Sequence, residues 1–337
     1  MKCLVIGIGH AGERHIKNLR TLGVKDISVF DLNIDYFRPE HSSPPDQTPA
    51  DNRFGYLVKK YGVSFYDPET FHEDFDFWVI ATPPAHHMRY AVMGLQHGSH
   101  LFIEKPVSHD MEYVDWLWQM AKNRDTVIHV GYQLRFNNGL KMIKDMIESD
   151  RVGKLCSINA TFGQWLPDWH KDSDYHELYT GKASEGGGII LDASHELDYV
   201  RWLAGSDIAR VQSQFTRASG LDIDVEDNAD ILFLFENGVT GNIHLDCINR
   251  EYTRECTIIG TKGTIKWVYN AESLVITNGK NTQCIGVTQN NAYLDEMQAF
   301  LQCIKDSDYI NRSLADGIYA LKLAVKIKGG TNGTKQT

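Results

Sequence analysis

The sequence predicts an α/β protein in two parts: a parallel-sheet domain of alternating strands and helices, then an α+β domain in which strands come to dominate. Three observations predict it. A buried strand at Cys3 to Ile6 runs directly into Gly7-Ile8-Gly9-His10-Ala11-Gly12 and a helix. Short apolar runs then recur with helical stretches between them, closing on Leu101-Phe102-Ile103-Glu104-Lys105-Pro106. From Ala209 onward strand patterns follow one another closely, with Asn237-Gly238 as a hairpin signal.

The chain has 337 residues, enough for two domains with sizeable cores. Its net charge of −10 argues against nucleic acid or an anionic membrane surface as a partner. The six cysteines are scattered without metal-ligand spacing, so no metal site is expected and buried free thiols are the simpler reading. No apolar run is long enough to span a bilayer, and the strand pattern begins at once, so a cytoplasmic protein without a signal peptide is expected.

In the first domain, the helix after the glycines carries Ile16 and Leu19 on one face and ends at Gly23. A second strand, Ile27 to Phe30, ends in Asp31, which lies 19 residues after Gly12. Strand, glycines, helix, strand and acid at this spacing form a dinucleotide-binding pattern, against the alternative of a plain βαβ turn. Gly7, Gly9 and Gly12, with His10 and Ala11 between them, let backbone N–H groups approach a pyrophosphate at a helix N-terminus. Asp31 can accept both hydroxyls of a ribose and would repel a 2′-phosphate, so NAD is expected over NADP; Arg38 and Arg53 keep NADP open.

The polar, proline-containing stretch 36–54 reads as a surface excursion, with a proline-rich ligand for a partner as the lesser alternative. The strand Phe75 to Ala81 is followed by Thr82-Pro83-Pro84-Ala85-His86-His87. His87 could meet cofactor or substrate, or cap the next helix. Trp116-Leu117-Trp118 reads as helical core packing. At the next strand end Glu104, Lys105 and Pro106 stop the ladder at the edge where parallel sheets bind ligands. Lys105 is a candidate for chemistry there; a solvated turn lysine is the bland alternative. Val127 to Val130 is a last strand before Gly131-Tyr132-Gln133-Leu134-Arg135-Phe136 leads out.

With GIGHAG at 7–12, ATPPAHH at 81–87, EKP at 104–106 and GYQLRF at 131–136, the chain resembles the family of glucose–fructose oxidoreductase, inositol dehydrogenase and MocA. The resemblance covers almost the whole chain. It implies an N-terminal Rossmann domain and a C-terminal α+β domain with a large, open, mainly antiparallel sheet. It implies NAD(P)-dependent oxidation or reduction of a carbinol in a sugar, inositol or related polyol. It also implies that Lys105 contacts substrate and the nicotinamide end of the cofactor, with Thr82, Pro83, His87 and Glu104 lining the cofactor. The division expected is 1–136 for the dinucleotide, 137–291 for substrate and oligomerisation, and 292–330 for helices packing back towards the Rossmann domain.

The second domain opens with a helix at Gly139 to Ser149 and a strand at Leu155 to Phe162. Residues 163–185 show no clear period but hold Trp165, Trp169, His170, Tyr175, His176 and Tyr179. Flat aromatic faces with polar tips suit a hydroxylated ring; a packed connecting loop is the alternative. Gly186-Gly187-Gly188 precedes Asp192 and His195, which are three apart and would share a helical face. A histidine can take the hydroxyl proton as hydride leaves the same carbon. The family pattern sets the aspartate four residues before the histidine, so Asp192 is displaced here, whereas Asp198 keeps the usual place after His195. Tyr132 and Arg135 complete the expected substrate side.

Ile231 to Phe235 is apolar at consecutive positions, so one face needs a cover, for which a second copy in a homodimer or homotetramer is the natural candidate. Leu294, Met297, Leu301 and Ile304 share a helical face, as do Leu314, Ile318, Leu321 and Val325; residues 331–337 read as a frayed tail. The expectation is an NAD-dependent oxidoreductase acting on a sugar, nucleotide sugar or cyclic polyol, with Lys105 and His195 sharing proton transfer and Asp192 assisting. An NAD-dependent glycosidase of the same family and a non-catalytic dinucleotide sensor are the rivals.

Overall fold

The computed structural model describes residues 1–33, 53–68, 73–169, 174–308 and 311–329. Most of the polar stretch 36–54, including Arg38, lies outside the described residues, as do His170 and the tail. Two compact units emerge: Met1–Gly131 with Tyr293–Ile318, and Tyr132–Ala292 with Tyr319–Thr337.

The first unit is built on a parallel sheet. Its strands are β1 (Lys2–Ile6), β2 (Asp26–Phe30), β3 (Ser64–Phe65), β4 (Phe77–Ile80), β5 (His100–Glu104) and β6 (Ile128–Gly131), in spatial order β3-β2-β1-β4-β5-β6. Every neighbouring pair is parallel, which places the glycine loop after β1, Thr82 after β4 and Lys105 after β5 at one edge. Helices α1 (His10–Thr21), α2 (Arg53–Tyr61), α3 (His87–Gln96) and α4 (Val114–Asn123) connect the strands. The apolar stripe of α1 works as its spacing implies: Ile16 and Leu19 are fully buried with Val5, Val29 and Phe102. On α4 only Leu117 of the Trp116-Leu117-Trp118 run is core. Trp116 is 36% exposed and Trp118 lies under the Lys122 ammonium, because a helix turns adjacent residues about 100° apart and cannot bury all three. Helix α8 (Ala292–Asp306) brings Met297 and Phe300 into this core, where Phe300 meets Phe77 and Phe102 edge-on. Asn311, just before α9 (Arg312–Gly329), accepts the Ile128 N–H at 2.7 Å and donates to the Thr126 carbonyl at 3.0 Å.

The second unit begins with α5 (Asn138–Glu148), N-capped by Asn137, whose side chain accepts the Leu140 N–H. Its sheet comprises β7 (Leu155–Gly163), β8 (Ile208–Thr216), β9 (Asn228–Phe235), β10 (Thr240–Asp246), β11 (Thr253–Gly260), β12 (Thr264–Val268), β13 (Ser273–Asn278) and β14 (Asn281–Gly286), in order β14-β13-β12-β11-β7-β10-β9-β8. The β7–β10 pair is parallel and the other neighbours are antiparallel. Gly238, at φ 84°, makes the β9–β10 turn that Asn237-Gly238 signals. Burial alternates along β9: Ile231, Phe233 and Phe235 point inward, whereas Leu232 is 56% and Leu234 37% exposed. One face of the apolar run is therefore covered within the chain and the other is open. Ile259, Val268 and Val275 stand out on the same side of their strands.

Two expectations change in this unit. The stretch from Ile189 is two helices, α6 (Ile189–Asp192) and α7 (Ser194–Ala204), parted at Ala193, so Asp192 and His195 do not share a helical face. Among the cysteines Cys3, Cys247 and Cys256 are buried, but Cys156 and Cys284 lie exposed on strands. Among the described residues no helix is long and apolar enough to cross a membrane, and no cluster of three His, Cys, Asp or Glu could hold a metal.

Candidate active site

In the first unit the glycines are there for close approach. Gly7 stands at φ 90°, and a Cβ on it would come within 2.4 Å of the Ala81 carbonyl oxygen. A Cβ on Gly12 would overlap the Gly7 carbonyl oxygen at 1.9 Å, while among the described residues nothing lies within 4 Å of the corresponding position at Gly9. The loop is thus packed tightly on its strand side and open at Gly9. Gly9 also precedes α1, with no side chain capping the helix. First-turn N–H groups left without a cap favour a negative ligand.

Asp31 completes the cradle. Its Oδ2 accepts the Ile8 N–H at 2.6 Å and its Oδ1 the Asn33 N–H at 2.8 Å. Burial raises its pKa from the usual carboxylate value, against those two bonds and the Arg53 charge. Arg53 is committed to the loop: Nε donates to the Ile8 carbonyl at 2.8 Å, Nη2 to the Gly9 carbonyl at 3.2 Å, and Nη2 pairs with Glu13 at 2.8 Å. Beside Gly7, the hydroxyl of Thr82 is buried with no hydrogen-bond partner among the described residues. An orphaned hydroxyl, an open glycine and an uncapped helix start on one sheet edge fit a dinucleotide.

His87 and Glu104 both have partners within the protein. His87 is entirely buried, with Nδ1 2.8 Å from the Pro106 carbonyl oxygen and Nε2 2.8 Å from that of Thr82. Burial pushes its imidazole down from the ordinary value despite both carbonyls. It braces the Thr82 loop against the segment after β5, where the Lys105–Pro106 peptide is cis. The Glu104 carboxylate turns inward: Oε1 accepts from His15 Nε2 at 2.7 Å and Arg14 Nη2 at 3.1 Å. Burial opposes its ionisation, but the His15 hydrogen bond and the charges of His15, Arg14 and Lys105 hold it well below the usual carboxylate range.

In the second unit Tyr132 and His195 come together, ring centroids 5.5 Å apart at 87°, and the Tyr132 hydroxyl donates to Ser194 at 3.3 Å. Burial, with the Asp198 charge, raises the Tyr132 phenol well above its usual value. Arg135 donates through Nε and Nη2 to the two oxygens of buried Asp198, each at 2.7 Å, which anchors α7. Asp192 accepts from the Tyr179 hydroxyl at 2.6 Å and the Thr180 hydroxyl at 3.0 Å, so the long loop holds it in place. The Trp165 face carries the Arg250 guanidinium 3.5 Å from its centroid, and the Trp169 indole N–H donates to the Gln164 carbonyl at 2.9 Å. These two rings help pack the loop.

Four residues stand out only in the structure. Arg14 and His15 reach Glu104 across 90 and 89 positions of sequence. Glu226 and Lys328 form a 3.1 Å ion pair at the glycine turn before α6; a Cβ on Gly188 would strike the Glu226 carboxylate at 2.4 Å. The sequence signal for His15 is its place beside the apolar stripe of α1, where a polar residue needs a buried partner. No comparable signal marks Lys328.

A Rossmann unit with a dinucleotide cradle, and beside it in sequence a unit built on a large mainly antiparallel sheet, define a two-domain oxidoreductase. Residues 1–132 match the oxidoreductase family with an NAD-binding Rossmann fold, and residues 140–266 match the GFO/IDH/MocA C-terminal domain. The chain belongs to the Gfo/Idh/MocA family of NAD(P)-dependent oxidoreductases. It is similar to the myo-inositol 2-dehydrogenase of Thermotoga maritima, 24% identical over 350 residues that cover 97% of this chain and 95% of that protein. Its fold is similar to that of the UDP-N-acetylglucosamine 3-dehydrogenase GnnA from Acidithiobacillus ferrooxidans, at TM-score 0.79 and 20% identity over 98% and 97% of the two chains. It is also similar to that of KijD10, a 3-ketoreductase from Actinomadura kijaniata, at TM-score 0.82 and 16% identity over 99% and 98%.

Proposed function

We propose that this chain transfers hydride between NAD and a carbinol or keto carbon of a sugar, nucleotide sugar or cyclic polyol. The observation that carries the reading is Lys105, held at the carboxyl end of β5 on the same sheet edge as the glycine cradle. When bound, nicotinamide supplies the hydride acceptor or donor. Gly7 to Gly12 and Asp31 hold the dinucleotide, and Thr82 offers its unpaired hydroxyl. NAD is favoured over NADP because Asp31 ends β2 and Arg53 is already engaged by the loop carbonyls and Glu13.

Lys105 donates a hydrogen bond to the reacting oxygen, and His195, set by the edge of Tyr132, takes or returns its proton. Asp192, fixed by Tyr179 and Thr180, contributes a carboxylate for a neighbouring hydroxyl. Tyr132 contributes through His195, and Arg135 through Asp198 and α7. The first unit is the dinucleotide domain and the second the substrate domain. The open face bearing Leu232 and Leu234 is the surface through which copies of the chain associate. The test is NADH formation from NAD across myo-inositol, scyllo-inositol, free hexoses and UDP-N-acetylglucosamine; no turnover of any of these, nor reduction of the corresponding ketones, refutes the assignment.

A further inference from the structure

Beneath Lys105 lies a set of ionisable groups that binding and proton transfer do not call for. The Glu104 carboxylate is buried, and one of its oxygens takes both the His15 imidazole and the Arg14 guanidinium. Its other oxygen, Oε2, faces the Lys105 backbone N–H at 3.2 Å. The walls are apolar and aromatic. The His15 ring meets Phe102 edge-on at 4.9 Å, His129 stacks on Phe102 at 5.2 Å, and Arg14 lies 4.0 Å over the Tyr293 ring. A second buried acid, Glu296, holds His129 at 3.2 Å.

We infer that Glu104 is a positioning residue for Lys105, seated by Arg14 and His15 of α1, so that the helix at the dinucleotide cradle also sets the backbone from which the Lys105 side chain extends. This rests on the reading of Lys105 as the group that meets substrate. The charge count supports it. Arg14 donates to one oxygen of the buried carboxylate and the Lys105 backbone N–H to the other, and the charges of Arg14 and Lys105 both favour the ionised acid. Arg14 and His15 lie on the first turns of α1, which starts beside Gly9, so Glu104 is tied through short bonds to the helix at the cradle. The His15 Nδ1 has no hydrogen-bond partner among the described residues, and Nε2 donates to Glu104. A purely structural ion pair would stabilise the fold equally whether or not residue 105 is a lysine. A positioning acid acts only through that lysine.

Two measurements separate these. In protein whose lysines are reductively methylated with carbon-13, the Lys105 signal is identified by its loss in Lys105→Arg. Glu104→Gln and His15→Gln should each move that signal by more than its linewidth, with NAD affinity by calorimetry within about threefold of the parent. Turnover is read on whichever of myo-inositol or UDP-N-acetylglucosamine the unmodified protein oxidises. Glu104→Gln should lower kcat at least tenfold with KM little changed, and less than twofold when added to Lys105→Ala; Glu104→Asp should recover part of the loss. An unmoved Lys105 signal, or an equal loss of kcat in both backgrounds, overturns the inference while leaving Lys105 catalytic. Near-normal turnover of Lys105→Ala overturns the functional reading of the lysine, and the inference with it.

Discussion

The Tyr132 ring stands almost perpendicular to the His195 ring, 87° between planes and 5.5 Å between centroids, while its hydroxyl is bonded to Ser194, the residue just before His195. One buried side chain therefore touches both the His195 ring and the hydroxyl of the first residue of the helix that carries it. Tyr132→Phe keeps the ring contact and loses a hydrogen bond worth about 1 kcal/mol. Tyr132→Ala opens a cavity and should cost about 3–5 kcal/mol in urea unfolding, judged by other buried aromatic truncations. Turnover should fall much further in the alanine variant than in the phenylalanine one. Equal losses in both would show that the hydroxyl, not the ring, sets His195.

Lys105→Ala and His195→Ala should each lower turnover by about 10²–10⁴-fold, the usual worth of a general acid–base group. NAD affinity should hardly change in either, since the glycine loop and Asp31 carry it. If the two act on one proton path, the double variant loses less than the product of the single losses. The check is steady-state turnover beside calorimetric NAD binding for all four proteins.

Asp31→Ala tests the cofactor choice. A charge-assisted hydrogen bond contributes about 1.5–3 kcal/mol, so the unmodified protein should bind NADH more tightly than NADPH by roughly ten- to a hundredfold, and the variant should narrow the gap. Equal affinities in the unmodified protein count against Asp31 as the discriminating residue.

His244 offers a pH test away from the site. Its Nε2 lies 3.2 Å from Asp246 and its Nδ1 2.8 Å from Asp230, and these carboxylates raise its pKa to about 9. A raised folded-state pKa stabilises fully below the unfolded value, about 6.5, and the gain is lost as pH rises through about 9. The unmodified protein should therefore exceed His244→Gln in urea midpoint at pH 6 and converge on it above pH 9. The imidazole is 37% exposed, so solvent screening limits the difference to about 1 kcal/mol or less.

The open face of the second sheet predicts assembly. Multi-angle light scattering at micromolar concentration should give a dimer or tetramer, and Leu232→Asp with Leu234→Asp should dissociate it while leaving far-ultraviolet circular dichroism unchanged. A monomeric parent protein ends the proposal for this face.

The first unit was largely legible because its constraints are local. The glycines at 7, 9 and 12 and the acid at 31 mark backbone geometry that few other residues permit, and the apolar strands announce themselves. The second unit was less so. The run from Ile189 to Ala204 has a continuous helical pattern, and nothing in it forecasts the break at Ala193. The surroundings of that break include Tyr179 and Thr180 on Asp192 and the Glu226–Lys328 pair at the preceding turn, all distant or irregular in sequence. The polar β14 carries almost no apolar signal and is a strand by pairing with β13. The Arg135–Asp198 pair was not legible because the two residues are 63 positions apart. The Arg14 and His15 partners of Glu104 were not legible because they sit on a helix 90 and 89 positions earlier in the chain.

The ammonium of Lys328 reaches back across 141 positions to the Gly187 carbonyl and pairs with Glu226 at the same turn. On the ribosome this corner is therefore built in the wrong order. The glycine turn, the α6 helix with Asp192 and the Glu226 carboxylate all emerge long before their counter-charge, and chains fold from the N-terminus as they are made. Until α9 has appeared, Glu226 faces the start of α6 as an unpaired anion, and water must fill the place that Lys328 later takes. The turn leading to His195 thus waits for the last turn of α9, just as the core around Phe77 and Phe102 waits for Phe300 of α8.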